Sequence, residues 1–431
     1  MKESPGFTLD AMAVRDATRM ACDWLVDVAQ IQTTHLTAED PWHFRYASWK
    51  GAIRGEYSAA SRRWGFFAPV WHTGQAVKAL LLAARHLGQP RYRAAARLGA
   101  DFILDKQVWQ PGHPNHGLIL AFEDYGDKVV TAGVLECMDG LLLLASDVTP
   151  ASPLADLEAR MIQAGRFLID RLYLPGQGVF RDVFDPATGS AVFPSVFRVP
   201  PGQGGRPLLD DAIWCKLYEL SGDRRFLDVQ VAVSDTLVAD QRPPGNWVDY
   251  GPCDPDTMRF HPRHTYWWGR SLLESYRVTH RREYFDTALA SGHFMRRALR
   301  HDGGCFRGTY CDDATGILTT DSFGHATSGS ACAAIFFMEL HAATADAAWL
   351  EAAEQALGFC ASMQLHSPKD PNLQGVIVEK IRAPDGTDAL PYHIRDLGTI
   401  FFIQAAVKYL ALQDAAASPA TAVPTVAGES N

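Results

Sequence analysis

LGQPRY at 87–92, SGDRRF at 221–226, THRREY at 279–284 and TADAAW at 344–349 are four versions of one turn, and they decide the fold of this 431-residue chain. In each, an apolar helix runs into a few polar residues, and an aromatic side chain (Tyr92, Phe226, Tyr284 or Trp349) opens the next helix. Apolar positions at helical spacing follow. An aromatic at that place can seal the corner between two antiparallel helices, so the chain reads as a succession of helical hairpins.

Outward from these turns, apolar spacing and Gly/Pro punctuation predict about a dozen helices in two alternating sets. One set covers about 9–30, 90–107, 153–172, 223–240, 282–299 and 346–364. It carries charges such as Arg91, Arg93 and Arg97, or Asp156, Glu158 and Arg160, as a helix with a solvated outer face does. The other covers about 69–87, 129–146, 207–221, 264–279, 325–341 and 395–412. It is apolar nearly all round, for example at Val134, Leu135 and Leu141 or from Ala331 to Met338, which marks a buried inner ring. Six outer and six inner helices make an all-α (α/α)6 toroid, a six-hairpin barrel. An open superhelix of the same hairpins is the competing architecture, but such scaffold repeats are shorter and have short loops at both ends.

Inner-to-outer links are a few residues long, as in αα-hairpins. Outer-to-inner links cover about 31–68, 108–128, 173–206, 241–263, 300–324 and 365–394, and compact domains keep loops of that length mainly for function. They hold aromatic-rich stretches, WHFRYASW at 42–49, RRWGFF at 62–67 and NWVDY at 246–250, whereas disordered segments are poor in aromatics. All six long loops are expected at one end of the barrel, above the N-termini of the inner helices. That end is the expected site, concave and walled by aromatics.

With 47% hydrophobic residues the chain can bury a large core, and no linker-like break divides it. A single domain is expected over 9–413, with loose ends at 1–8 and 414–431. The eight cysteines show no Cys-x-x-Cys pairing and read as reduced, mostly buried thiols. The N-terminal MKESPGFTLDAMAVRDATRM lacks a continuous apolar segment, and no apolar run approaches membrane-spanning length, so no membrane partner and a cytoplasmic location are expected.

A net charge of −9 argues against a nucleic-acid partner, because phosphate binding needs a basic face. Arginines still gather in the long loops and at inner-helix starts: Arg45, Arg54, Arg62, Arg63, Arg198, Arg206, Arg263, Arg270 and Arg395. In an acidic protein that placement suits either loop solvation or recognition of a small anion such as a carboxylate. Phosphate-cradling, zinc-protease and serine-hydrolase motifs are missing from the sequence. Asp312, Asp313 and Asp321 lack the spacing of a known calcium loop and read as a polar turn. Neither a metal nor a cofactor is called for.

The remaining chemistry lies at the starts of the inner helices. Asp210 and Asp211, in RPLLDDAIWCKLYELSGD, open the third. A carboxyl in an aromatic cavity beside a second carboxylate has a raised pKa and can serve as general acid/base. Capping and the helix dipole also favour acids there, so one of the pair can be only a cap. The fourth inner helix begins RHTYWWGRSLLESY, crowding His264, Tyr266, Trp267, Trp268 and Arg270 into its first turns. A tryptophan platform for a sugar ring, with Arg for its carboxylate, explains that group better than core packing alone. Trp247 in the preceding loop joins the expected platform. The fifth begins GHATSGSACAA, with His325, Thr327, Ser328 and Ser330; the sixth begins YHIRDLGT, with His393, Arg395 and Asp396; the first carries Trp71 and His72. Their recurrence at equivalent positions makes Trp71, His72, His325, Ser328, Arg395 and Asp396 substrate-binding candidates.

LLDDAIWCKLYELSGDRRFLD at 208–228 resembles the Asp-Asp helix-turn segment of unsaturated rhamnogalacturonyl and glucuronyl hydrolases, in the six-hairpin glycosidase superfamily. WWGRS at 267–271 resembles their Trp-x-Arg-Gly segment, and HATSGSACAAIFF at 325–337 their Ser/Ala-rich inner helix. The three stand in the family's order on successive hairpins. Ser271 departs from the family's Gly, and the second aromatic expected downstream falls near Glu274. The resemblance implies an Asp general acid/base that protonates the C4=C5 bond of a terminal unsaturated uronic acid. Water then adds at C5 and the neighbouring sugar is lost. The expected protein is therefore a glycoside hydrolase on short uronate-containing oligosaccharides, with Asp210 and Asp211 supplying the catalyst. A polysaccharide lyase or sugar epimerase on the same toroid, or a non-catalytic glycan-binding scaffold, are the alternatives.

Overall fold

The computed structural model describes residues 9–40, 42–123, 126–147, 154–192, 198–261, 263–305, 309–311, 317–320, 326–381 and 392–417. Among them the outer helices are α1 (Ala11–Trp24), α3 (Pro90–Asp105), α5 (Leu157–Leu172), α7 (Arg224–Ala239), α9 (Arg282–Ala298) and α11 (Ala347–Ser362). The inner helices are α2 (Pro69–Leu87), α4 (Thr131–Ala145), α6 (Ile213–Ser221), α8 (Ser271–Thr279), α10 (Thr327–Thr344) and α12 (Leu397–Ala417). Each inner helix packs on the next, α8 reaching α10 through the π-helical turn Thr265–Arg270 that precedes it. Helix α12 packs back on α2. The ring is thus a closed toroid and not an open superhelix.

The repeated turn has a local cause. A left-handed residue ends the inner helix each time: Gly88 (φ 66°), Gly222 (φ 67°), His280 (φ 58°) and Ala345 (φ 57°). Asp223 and Asp346 then cap the outer helix by accepting from the backbone N–H of Arg225 (3.2 Å) and Ala348 (2.9 Å). The aromatic that follows joins neighbouring outer helices, a longer reach than the hairpin corner expected from sequence. Tyr92 O–H donates to Asp23 Oδ1 and Tyr284 O–H to Asp235 Oδ1, both at 2.7 Å. Phe226 and Trp349 lie over Gly165 and Gly292, where an added Cβ would come within 2.9 and 3.1 Å of their rings.

A second repeat ties every long loop down. Gly51, Gly117, Gly178, Gly245, Gly303 and Gly375, one per loop, have φ between +64° and +101°. Each lies against a carbonyl of an outer helix, at Leu98, Gln163, Ala232, Ala290, Gln355 and Met20 in turn, where a Cβ would stand 2.1–2.7 Å from the oxygen. Only glycine combines that backbone with that approach. The last of the six reaches α1, so the loops close in a ring as the helices do.

Above the inner ring the loops form short antiparallel strands, which periodicity over two to four residues could not announce. Glu56–Ser58 pairs with both Arg63–Gly65 and Tyr392–Arg395, joining the first and last loops in the register Glu56↔Arg395. Some boundaries differ from those expected. The third inner helix starts at Ile213 after an irregular turn at 210–212, and the last continues to Ala417, beyond 413. Residues 1–8 and 418–431, Asp312, Asp313, Asp321 and His325 lie outside the described residues. Cys22, Cys137, Cys215, Cys253, Cys305, Cys332 and Cys360 are buried. Among the described residues no helix is long and apolar enough to cross a membrane.

Candidate active site

The starts of five inner helices line one cavity at the loop end. Trp71 comes from α2, Ala132 and Glu136 from α4, Asp210 from the turn before α6, Arg263, Trp267 and Trp268 from the segment before α8, and Arg395 and Leu397 from the start of α12. Loop residues Phe67, Glu123 and Arg206 complete the charged and aromatic wall. The space measures about 790 Å³, its solvent-filled mouth included, within the range of sites for small organic ligands.

The two adjacent aspartates point to different places because the chain between them is twisted. Asp211 (φ 53°) and Ala212 (φ 51°) are both left-handed, a conformation that costs a non-glycine residue about 1–2 kcal/mol and persists where surrounding contacts enforce it. The contacts here are specific. Asp211 Oδ2 accepts from Gln75 Nε2 (3.0 Å), while Oδ1 accepts from Lys78 Nζ (3.3 Å) and an Arg270 guanidinium nitrogen (2.9 Å). The Ala212 N–H donates to Ser271 Oγ (3.3 Å), so Ser271, the departure from the family's Gly, helps to hold the turn. Asp211 is therefore a buried ion-pair centre, and neither a helix cap nor a cavity residue. Asp210 faces the cavity. Burial pushes its carboxyl up to about 7, against the pull of Arg206 and with the push of Asp211.

Two further carboxyls line the same cavity. Burial raises the pKa of Glu136, and the charges of Asp210, Asp211 and Glu123 add to the effect. Neither Glu123 nor Glu136 belongs to a recognisable motif; Glu136 stands out only as a charged residue inside an apolar helix, and Glu123 lies in the loop before it. Facing these acids are arginines held by fixed partners. Arg206 Nε donates to Asp182 Oδ1 at 2.7 Å. Arg395 Nε donates to Glu56 Oε1 at 2.8 Å and its guanidinium covers the Phe67 ring at 4.4 Å. Arg263 donates to Ser328 Oγ at 3.2 Å. Arg206, Arg263 and Arg395 were all among the loop arginines singled out by sequence.

Beneath the cavity, five inner helices and the turn before α8 each contribute a charge to a belt. Lys78 of α2 meets Asp139 of α4 (2.5 Å), and Asp139 also meets Lys216 of α6. Arg270 before α8 meets Glu339 of α10 (2.8 Å), which meets Lys408 of α12 (3.0 Å). Asp211 bridges the two halves through Lys78 and Arg270. Burial opposes ionisation of Glu339, but Arg270 and Lys408 prevail and hold its carboxyl down at about 2.

Several expected binding residues lie elsewhere. Arg270 belongs to this belt, with Tyr266 against it at 5.3 Å, and neither lines the cavity. Trp247 is fully buried, donates Nε1–H to the Leu237 carbonyl (2.7 Å) and supports Trp268 edge-on at 5.3 Å. A side chain engaged on all sides by core cannot serve as an open platform. His264 is buried against Trp268 (4.4 Å); burial first, then Arg206, lowers its pKa to about 3 and keeps it neutral. His72 and Asp396 form a buried contact of 2.6 Å behind Trp71, with burial raising the Asp396 pKa and His72 opposing it. Ser328 acts indirectly, through Arg263. Of the aromatic and charged candidates, the structure brings Trp71, Trp267, Trp268, Asp210 and Arg395 together at the cavity.

No protein-family model matches the sequence, and no curated protein matches it. Solved structures do match over nearly the whole chain. A D-mannose isomerase superposes with a TM-score of 0.64 at 11% identity, over 96% of this chain and 100% of that one. A cellobiose 2-epimerase from Bacillus thermoamylovorans B4167 gives 0.64 at 9%, over 92% and 99%. An unsaturated glucuronyl hydrolase specific for heparin gives 0.64 at 13%, over 94% and 99%. The toroid of this chain is thus one on which carbohydrate enzymes of several reaction types are built.

Proposed function

We propose that the protein is a glycoside hydrolase acting on short uronate-containing oligosaccharides, with Asp210 as the general acid/base. The observation that carries this reading is the pairing, in one aromatic cavity, of a carboxyl titrating near 7 with Arg206, Arg263 and Arg395. A carboxyl tuned to that range holds its proton at neutral pH and can still release it to a substrate. Guanidinium groups suit the planar carboxylate of a uronic acid, and Trp71 and Trp267 offer flat apolar faces for a sugar ring. Among the described residues, the cavity's proton-transferring groups are carboxyls, which favours hydrolysis over chemistry by a His pair.

On a terminal unsaturated uronate, Asp210 gives its proton to C4 of the C4=C5 bond. Water adds at C5 and returns a proton to the carboxylate, and the resulting product opens with loss of the neighbouring sugar. Glu123 and Glu136 line the same cavity, and either is available to hold the water.

The test is incubation with a panel of saturated and unsaturated uronate-containing disaccharides. Hydrolysis of an unsaturated member removes the ultraviolet absorbance of the double bond and releases a monosaccharide. Deuterium exchange into an uncleaved sugar in heavy water would instead mark an epimerase, and recovery of every sugar unchanged would mark a binding protein.

A further inference from the structure

A second chamber adjoins the first. Pro252, Arg263 and Arg395 line both, and beyond them stand Arg259, Phe260, His261, Ala326 and Glu379, around about 910 Å³ of space. Its chemistry differs from that of the cavity, with guanidinium groups in place of protonatable carboxyls. Glu379 is the one acidic residue among its described lining, and its charge is already engaged. Glu379 Oε2 accepts from the Ser328 backbone N–H (2.7 Å) and Oε1 from Ser328 Oγ (2.6 Å), at the start of α10. Ser328 Oγ in turn accepts from Arg263. Arg263 is therefore oriented by a hydroxyl, which leaves its charge unneutralised by that contact, and its Nε is buried with no hydrogen-bond partner among the described residues. The His261 ring lies flat against Trp267 (5.7 Å between centroids, 10° between planes). Its Nδ1 accepts from the Arg263 N–H at 3.2 Å, so the proton of the neutral ring sits on Nε2.

We propose that this chamber is an oxyanion subsite, in which Arg259 and Arg263 bind a carboxylate or sulfate ester on the sugar next to the one whose bond is broken. Only the identity of the carrier as a sugar rests on the hydrolase reading. A buried guanidinium N–H without a partner is costly in the empty site and is satisfied by an anion. Trp267 lines the first space, and its ring stacks on His261, which lines the second.

Inorganic sulfate tests the subsite without reference to catalysis. With ionic strength held constant by chloride, sulfate should raise the melting temperature of the wild-type protein saturably, and Arg259→Met and Arg263→Met should each abolish the effect. A non-saturating rise, or the same rise in both variants, overturns the proposal even if the enzyme proves to be a hydrolase. Arg259→Lys and Arg263→Lys keep the charge and guard against misfolding; each should retain a weakened, saturable response. Three disaccharides whose second sugar is neutral, carboxylated or sulfated then identify the natural anion. Binding of whichever anionic form is preferred should weaken at least tenfold more in Arg263→Met than binding of the neutral form. Equal weakening of all three would show that Arg263 serves the reacting sugar alone.

Discussion

At the scale of single residues, Asp210 and Asp211 show how one dipeptide supplies two functions. The left-handed backbone at Asp211 turns its carboxylate towards Lys78 and Arg270 and leaves Asp210 facing the cavity. Asp211→Asn leaves two cations short of a partner, and breaking a buried ion pair from one side costs about 3 kcal/mol or more; chemical denaturation should show that loss. Asp210→Asn should behave oppositely. Its carboxyl is raised to about 7 from an ordinary 3.8, so between those pH values the folded state holds a proton that the unfolded state has released, and stability falls as pH rises. The Asn variant should therefore melt above wild type at pH 8, with the gap closing towards pH 4. A constant gap across that range would show that Asp210 does not titrate as described. The pair itself was legible in the sequence. Which member faces substrate was not, because that depends on a positive φ, and Glu123 and Glu136 carried no motif at all.

At the scale of elements, the helices were legible because twelve long segments each carried many apolar positions in register. The short strands were not, and neither was the six-fold glycine repeat, since loops of unequal length place those glycines at irregular intervals. The repeat separates two costs that a glycine can carry. Gly88 has φ +66° and nothing within 4 Å of an added Cβ, whereas Gly51 has φ +94° and the Leu98 carbonyl oxygen at 2.1 Å. Gly88→Ala should cost about 1 kcal/mol, for the backbone alone. Gly51→Ala should cost roughly 3 kcal/mol or more, because the loop must leave α3. Equal melting temperatures for the two variants would contradict the anchoring role given to the loop glycines.

At the scale of the whole molecule, the ring closes twice over, in the inner helices and in the loop glycines, and a chain of charges runs from Lys216 through Asp211 to Lys408 beneath the cavity. The belt was invisible in sequence, because its members are scattered over the inner helices and the turns before them and meet only in the folded ring. Its acidic members make stability depend on low pH. Glu339 is lowered to about 2 from 4.5, so its contribution is complete above the ordinary value and is lost as pH falls towards 2. Acid unfolding of the wild type should include that step, and Glu339→Gln should lack it while being less stable at neutral pH. The belt also carries the turn that presents Asp210, linking the architecture to the proposed chemistry. Turnover of Asp210→Asn and Asp211→Asn on the substrate that the disaccharide panel identifies tests this account most directly. A proton-transferring carboxyl is worth about two to four orders of magnitude in rate, so Asp210→Asn should lose that much kcat with KM little changed, and the wild-type rate should fall above about pH 7. Asp211→Asn, at a temperature where it remains folded, should retain far more activity. Near wild-type turnover by Asp210→Asn would contradict the assignment of the cavity carboxyl as the catalyst.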